Sequence, residues 1–117
     1  MVRLLAIEDR TTHEYDTAAN QFRLGAINAK ALGQLIDQSI LPELRKARER
    51  VKALTGVPRE HQQLVARAEE YLRLRDESWS LRSEALHKGK MITLRQADRV
   101  ERASLDALEK IRPVDHN

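Results

Sequence analysis

The residue pair best spaced for chemistry is Glu84 and His87, which stand in the E-x-x-H order of di-iron helical bundles. Such a centre needs a second copy of the motif and two further glutamates on facing helices. The chain contains one copy, and His13, His61 and His116 have no partner at ligand spacing. We therefore expect neither a metal site nor a bound cofactor.

The short motifs that mark common catalytic sites do not occur in the sequence. There is no glycine-rich phosphate loop, no nucleophile elbow and no cysteine that could serve as a thiolate. A carboxylate dyad would leave no local motif, but nearly all the acids fall on the predicted exposed faces of helices. We therefore expect a protein that is not an enzyme.

A basic strip is the strongest charge feature. The formal net charge is +3, and the excess lies in residues 41–59, which carry six basic and two acidic side chains. Such a strip suits nucleic-acid phosphates, anionic lipid headgroups or an acidic protein partner, and it is also compatible with a plain solvated face. No aromatic residue is interleaved for base stacking. The strip consists of Arg45, Lys46, Arg48, Arg50 and Lys52.

Composition favours a helical protein. With 117 residues, the chain has the length of one domain, 1–117. Charged residues make up 33% and aromatic residues 3%, a balance typical of helical bundles and coiled coils rather than of β proteins. No run of about 18 apolar residues occurs, so we expect no transmembrane helix. We expect a cytoplasmic protein, or the soluble part of a membrane-associated one.

The first predicted helix is long, from about 11 to 54. Thr11 and Glu14 have the spacing of a capping box, and apolar residues then recur at steps of three and four. Pro42 should kink this helix, because it removes a backbone hydrogen bond and crowds the preceding turn. The alternative is a break near Gly25, which would give two shorter helices.

Two further helices follow, over about 58–88 and 93–111, with a tail over 112–117. In the second, Val65, Leu72, Trp79 and Leu86 recur at intervals of seven, which places Trp79 in the core. Thr93 is the expected N-cap of the third helix. Because the connections are short, we predict an all-α, antiparallel up-down bundle of three helices, or four if the chain breaks at Gly25.

Charged residues interrupt the apolar seams. Arg75 and Arg82 lie on the seam of the second helix, Glu101 lies on that of the third, and Asp37 is level with Arg75. A buried charge must be paired or it costs several kcal/mol. We predict that Arg82 approaches Glu101 and that Arg75 lies nearer Asp37, as ion pairs that fix the register. A polar site inside the bundle, or arginine stems that reach solvent, are the alternatives.

An overhang of the first helix predicts self-association. At about 1.5 Å per residue, a helix over 11–54 is much longer than its partner over 58–88. Tyr15, Ala18 and Phe22 would then have nothing from their own chain to pack against. We therefore predict a homodimer through residues 4–24, or a fold-back at Gly25 that creates a fourth helix.

The segments "ILPELRKARERVKAL", "VPREHQQLV" and "YLRLRDESWSLRSEALHKGKMITLRQADRVERASLDAL" resemble a soluble helical module of bacterial proteins of unknown function. That module is sometimes attached to rhomboid-like membrane proteins. The resemblance covers about residues 15–111 and implies a cytosolic or accessory helical domain, without any catalytic residue. Together these observations predict a non-enzymatic interaction or scaffolding module. A basic surface over 45–52 that binds nucleic acid or anionic lipid is the alternative.

Overall fold

The computed structural model describes the backbone of residues 2–111 and the side chains of 4–111. This part of the chain is helical and contains no strand, so the all-α prediction is confirmed for it. The predicted tail over 112–117 lies outside the described residues. The elements are α1 (Val2–Arg23), α2 (Ala29–Leu35), a π-helical segment (Ile36–Ile40), α3 (Leu41–Lys52), α4 (Arg59–Lys88) and α5 (Met91–Glu109).

The chain reverses at Gly25, so the predicted continuous helix over 11–54 is wrong. Gly25 has a left-handed backbone, with φ at 79°, and its N–H donates to the carbonyl of Phe22 at 3.0 Å. The N–H of Ala26 reaches back to the carbonyl of Gln21 at 2.9 Å, which completes a Schellman cap. Asn28 then caps α2, because its side chain accepts from the N–H of Ala31. These local caps outweigh an apolar stripe that stays in phase across the break.

The predicted capping box at Thr11 and the predicted N-cap at Thr93 do not form. Helix α1 begins nine residues before Thr11, and the buried Thr11 hydroxyl donates to the carbonyl of Ile7 at 2.7 Å. Glu14 instead accepts from the hydroxyl of Ser39 in the α2–α3 region at 2.6 Å. Helix α5 likewise begins at Met91 rather than at Thr93. Burial of apolar residues upstream extends α1 past the cap that local spacing favours.

The π-helical segment links α2 to α3 without a loop. The N–H of Leu41 bonds to the carbonyl of Ile36, five residues back. Pro42 follows at once, at a position in the first turn of α3 where a missing N–H is tolerated. The predicted kink at Pro42 stays a prediction.

Contacts fix the relative directions of the helices. Arg10 of α1 pairs with Glu43, and Glu14 pairs with Ser39, so α1 runs antiparallel to the stretch 29–52. Helix α1 runs parallel to α4, because Glu8 contacts Tyr71 while Tyr15, further along α1, packs on Trp79, further along α4.

The hairpin of α4 and α5 is antiparallel. Arg82, late in α4, donates to Asp98, whereas Arg67, early in α4, donates to the carbonyl of Lys110 after the end of α5. Residue numbers therefore rise along one helix as they fall along the other. Gly89 ends α4 in a left-handed conformation, which agrees with the predicted end of this helix at about 88.

The register of α4 differs from the expectation that Asp37 is level with Arg75, because Asp37 contacts Ser83 and His87 instead. A Cβ atom at Gly33 would lie 2.8 Å from the imidazole Nε2 of His87, so His87 occupies that place. The connection between α3 and α4 is a loop over 53–58, longer than the tight hinge assumed from the sequence. The extra length slides α4 by about two turns.

The core lies where the four helical stretches meet. Trp79 is 2% exposed, which confirms its predicted place in the core. The hydrophobic core to which Trp79 belongs consists of aliphatic and aromatic residues from α1, the π-helical segment, α3, α4 and α5, and of Ile111 just beyond α5. They include Leu4, Ile7, Ile36, Ile40, Leu44, Tyr71, Leu72, Leu108 and Ile111.

The sign of the stability change caused by Gly25→Ala distinguishes a turn at this position from a continuous helix. Gly25→Ala should destabilise the protein by about 1–2 kcal/mol, because a Cβ is strained in the left-handed conformation. In a continuous helix the same change would stabilise by about 1 kcal/mol. Chemical denaturation measures the difference, and Ala66→Gly on the exposed face of α4 calibrates helix propensity in this protein. A higher denaturation midpoint for Gly25→Ala would contradict the observed turn.

Candidate functional site: a buried charge network between α1, α4 and α5

Arg75 is the centre of the network. Its side chain is 3% exposed, and its guanidinium is shared between two acids. Nε and Nη2 donate to the two carboxylate oxygens of Glu8, each at 2.9 Å, and Nη1 donates to Glu101 Oε1 at 3.0 Å. The bidentate geometry with Glu8 ties α4 to α1, while the bond to Glu101 ties α4 to α5.

Glu8 has its hydrogen-bonding capacity filled. Besides Arg75, the phenol of Tyr71 donates to Oε1 at 2.6 Å and the hydroxyl of Thr12 donates to Oε2 at 2.5 Å. Burial by itself would raise the pKa of Glu8, but the Arg75 charge and these hydrogen bonds hold that pKa below its usual value. Burial and the neighbouring Glu8 carboxylate raise the pKa of Tyr71. Glu8 is therefore ionised and Tyr71 protonated at neutral pH.

Arg82 forms the second half of the network. Its Nη2 donates to Asp98 at 2.7 Å and to Glu101 at 3.2 Å, so Glu101 bridges the two arginines. Burial alone would lower the pKa of Arg82, but the hydrogen bond to Asp98 and the nearby carboxylate charges raise it.

Aromatic rings pack against both guanidinium groups. The carbon Cζ of Arg75 lies 4.6 Å from the ring centroid of Trp79, and that of Arg82 lies 5.8 Å from the ring of Tyr15. The two rings pack at 4.9 Å between centroids, tilted by 59°. Such contacts stabilise a buried cation by about 1–2 kcal/mol. The charged network and the aromatic core are therefore one structure.

The ion pairs of the network agree in part with those predicted from the sequence. Arg82 contacts Glu101 as predicted. The expected contact between Arg75 and Asp37 is wrong, because α4 is shifted against α2 and Arg75 lies against α1 instead. Glu8 was missed, although its place after the apolar Leu4 and Ile7 in a helical stripe was visible in the sequence.

Asp37 belongs to a second polar cluster, at the end of α4. It accepts from the Ser83 hydroxyl at 2.5 Å and lies 3.0 Å from His87 Nε2. These are the residue types of a hydrolase triad, but here the carboxylate lies between the other two. In a catalytic triad the imidazole lies in the middle and takes the serine proton. The arrangement therefore leaves Ser83 without a base.

The E-x-x-H residues do not converge. Glu84 pairs with Lys88 at 3.0 Å, whereas His87 lies on Asp37. Within residues 4–111, no group of three or more His, Cys, Asp or Glu side chains is close enough to hold a metal ion.

The residues of the basic strip have different surroundings in the folded chain. Arg45 pairs with Asp76 of α4 at 3.1 Å, and Arg48 is half-buried, while Lys52 is exposed. Lys46 and Arg50 line a groove between α1 and α3, with a volume of about 610 Å³. The other lining residues are Ala6, Ile7, Arg10, Gln38, Ser39, Pro42 and Glu43.

The residues predicted for self-association are used differently. Tyr15 packs on Trp79 within the same chain, and Ala18 is half-buried. Phe22 is 40% exposed. The fold-back therefore supplies most of the packing that the expected dimer would have provided.

Comparison with protein-family models, with curated proteins and with solved structures finds no match for this chain. Of the helices in the described part of the chain, none has the length and apolar character needed to cross a membrane.

Removing the Glu8 charge should lower the free energy of unfolding. Glu8→Gln keeps the shape but leaves Arg75 partly unpaired, and loss of one partner of a buried pair costs about 3 kcal/mol. Asp9→Asn, at the exposed neighbouring position, is the matched control and should change stability by less than about 0.5 kcal/mol. Equal denaturation midpoints for the two variants would show that the pair contributes nothing.

The same variant should alter the dependence of stability on pH. The pKa of Glu8 in the folded protein lies below the ordinary value of 4.5, so ionised Glu8 stabilises the fold above that pH. This contribution is lost as pH falls through the folded-state pKa. The stability difference between wild type and Glu8→Gln should be full at pH 7 and should narrow below about pH 4. A difference that stays constant down to pH 3 would contradict this assignment.

Proposed function

We propose that the protein is a non-enzymatic helical interaction module, and that the groove between α1 and α3 receives an acidic amphipathic helix of a partner protein. The observation that carries the proposal is the mixed lining of the groove. Ala6, Ile7 and Pro42 contribute apolar lining, Lys46 and Arg50 contribute cations, and Arg10 and Glu43 pair with each other. A helix that binds in a groove needs both an apolar contact and a matching charge to set its direction.

The state of the charged network supports a structural role for it. A general acid or base works best with a pKa near the operating pH. The lowered pKa of Glu8 and the raised pKa of Tyr71 move both groups away from neutrality. Two arginines bonded to three carboxylates hold helices together and have little capacity to bind a substrate.

A binding surface for nucleic acid or anionic lipid over 45–52 is the second candidate. It is favoured by the side chains of Lys46, Arg48, Arg50 and Lys52, which pair with no acid in the described part of the chain. Binding to duplex DNA would weaken by about 0.9 log units per log unit of salt for each phosphate contacted. A helix in the groove would depend on salt much less, because part of its affinity comes from apolar burial.

Self-association is a further proposal with less physical support. Since Tyr15 packs inside its own chain, we favour a different protein as partner over a second copy. The resemblance to a bacterial helical module, and the cytoplasmic location that it implies, stay predictions.

The groove is tested with a synthetic helix of about 20 residues that carries one apolar stripe and a glutamate-rich face. Fluorescence anisotropy should show that the chain binds this peptide better than a scrambled peptide of the same composition. The double variant Lys46→Glu and Arg50→Glu should weaken binding at least about tenfold, which corresponds to about 1.4 kcal/mol.

The matched control makes the same change of charge outside the groove. Arg99→Glu with Arg102→Glu, on the exposed face of α5, should leave peptide binding unchanged. Equal losses in the two double variants would show a general charge effect and would contradict a site in the groove. Tight binding of duplex DNA with a steep salt dependence would favour the second candidate.

The oligomeric state has its own test. We expect light scattering at micromolar concentration to give the mass of one chain, 13.5 kDa. Phe22→Glu should leave that mass unaltered. A mass of two chains that falls to one in this variant would support the homodimer and contradict our preference for a different partner.

A further inference from the structure

Exposed apolar side chains are concentrated in two short segments. Six large apolar side chains of the described residues are strongly exposed, and four of these lie just before Gly25 or just after Gly89. Leu24 is 77% exposed, Met91 64% and Ile92 70%, and Phe22 is the fourth. Side chains of this size are seldom left in water side by side without a use, because contiguous apolar patches mark interaction sites.

The two segments lie at the same end of the molecule. Helices α1 and α4 are parallel, and the contacts of Glu8 with Tyr71 and Arg75 set their register. Continued along both helices, this register brings the end of α1, at Arg23, level with the end of α4, at Lys88. The turn at 24–28 and the connection at 89–90 are therefore neighbours, and Gly33 beside His87 brings the start of α2 to the same end.

Basic side chains surround these apolar residues. Five cations stand in the two segments and the adjoining helical turns, where the one acid, Glu84, is paired with Lys88. A further acid at this end, Asp37 of the π-helical segment, lies against His87. Arg23 bonds only to the neutral side chain of Asn20 among the described residues. The cations are Arg23, Lys30, Lys88, Lys90 and Arg95.

The combination of exposed apolar side chains and surrounding cations limits which kinds of partner can bind this end of the molecule. A second copy that met this end through a two-fold axis would bring the cations of both copies together, which is unfavourable. Leu24 lies in the turn, whereas Phe22, Met91 and Ile92 lie at the ends of two different helices, so no single stripe is presented to a partner helix. A bilayer offers apolar chains at the depth of the exposed side chains and anionic headgroups at the depth of the cations.

We infer that this end, which we call the tip (residues 22–25 and 88–92), docks on the surface of a membrane that contains anionic phospholipid. Leu24, Met91 and Ile92 enter the boundary between headgroups and acyl chains, and the surrounding cations contact the headgroups. The inference goes beyond the proposed function, because Lys46 and Arg50 of the groove lie on α3, away from the tip. A protein docked in this way keeps the groove accessible.

Vesicle flotation of the full chain tests the inference. Vesicles of phosphatidylcholine with about 30% phosphatidylserine should bind the chain at least about tenfold better than phosphatidylcholine alone. The double variant Leu24→Ser and Ile92→Ser keeps every charge and should lose at least about tenfold in binding. Both positions are exposed, so circular dichroism and thermal unfolding should match the wild type.

Two controls locate the binding surface. Leu105→Ser removes an exposed apolar side chain away from the tip and should retain binding. The groove variant Lys46→Glu with Arg50→Glu should retain most of it. Loss of vesicle binding in the groove variant but not in the tip variant would assign lipid binding to the basic strip and overturn the inference.

Insertion itself can be observed because the chain has no cysteine. Ile92→Cys labelled with an environment-sensitive fluorophore should shift to shorter wavelength on anionic vesicles, and Leu105→Cys should not. Absence of vesicle binding by the wild type would overturn the inference and would leave the peptide-binding test of the groove unaffected. Binding without a shift at Ile92 would also overturn it, since the tip would not be inserted.

Discussion

The ion pair between Glu8 and Arg75 is the interaction on which the rest of the structure depends. Both side chains are almost fully buried, and an unpaired charge in such a place costs several kcal/mol. The cost is offset only when Tyr71, Thr12 and Glu101 supply the remaining hydrogen bonds. These bonds come from three helices and tolerate little displacement. Helix α1 is therefore held in one register and one direction against the hairpin of α4 and α5.

The position of α1 determines the two surfaces that we assign to function. Helix α1 also packs antiparallel to the stretch 29–52, and the seam between them leaves the groove with Lys46 and Arg50. The same placement brings the end of α1 level with the end of α4, which gathers exposed apolar residues at the tip. A protein built in this way can meet an acidic partner along its side and an anionic surface at its end. In our proposal, the charged network in the interior has a structural purpose rather than a chemical one.

The parts of the fold that follow from periodicity could be predicted from the sequence. The intervals of seven around Trp79, the glycine stop at Gly89 and the contact of Arg82 with Glu101 all follow from spacing within α4 or across its short connection to α5. The parts that depend on distant contacts could not. Glu8 finds Tyr71 and Arg75 more than 60 residues away. The turn at Gly25 interrupts an apolar stripe that stays in phase, so spacing predicts the break only as the alternative to a continuous helix. The register of α4 on α2 depends on the path of the loop over 53–58, and the spacing of residues in the sequence does not determine that path.

The central claim is that Glu8 and Arg75 stabilise the fold through each other. A double-mutant cycle with Glu8→Gln, Arg75→Gln and the combination measures that coupling most directly, by chemical denaturation at neutral pH. We predict a coupling energy of about 2 kcal/mol or more, so that the double variant is much less destabilised than the sum of the single variants. Effects that add to within about 0.5 kcal/mol would contradict the account, because the two charges would then act independently.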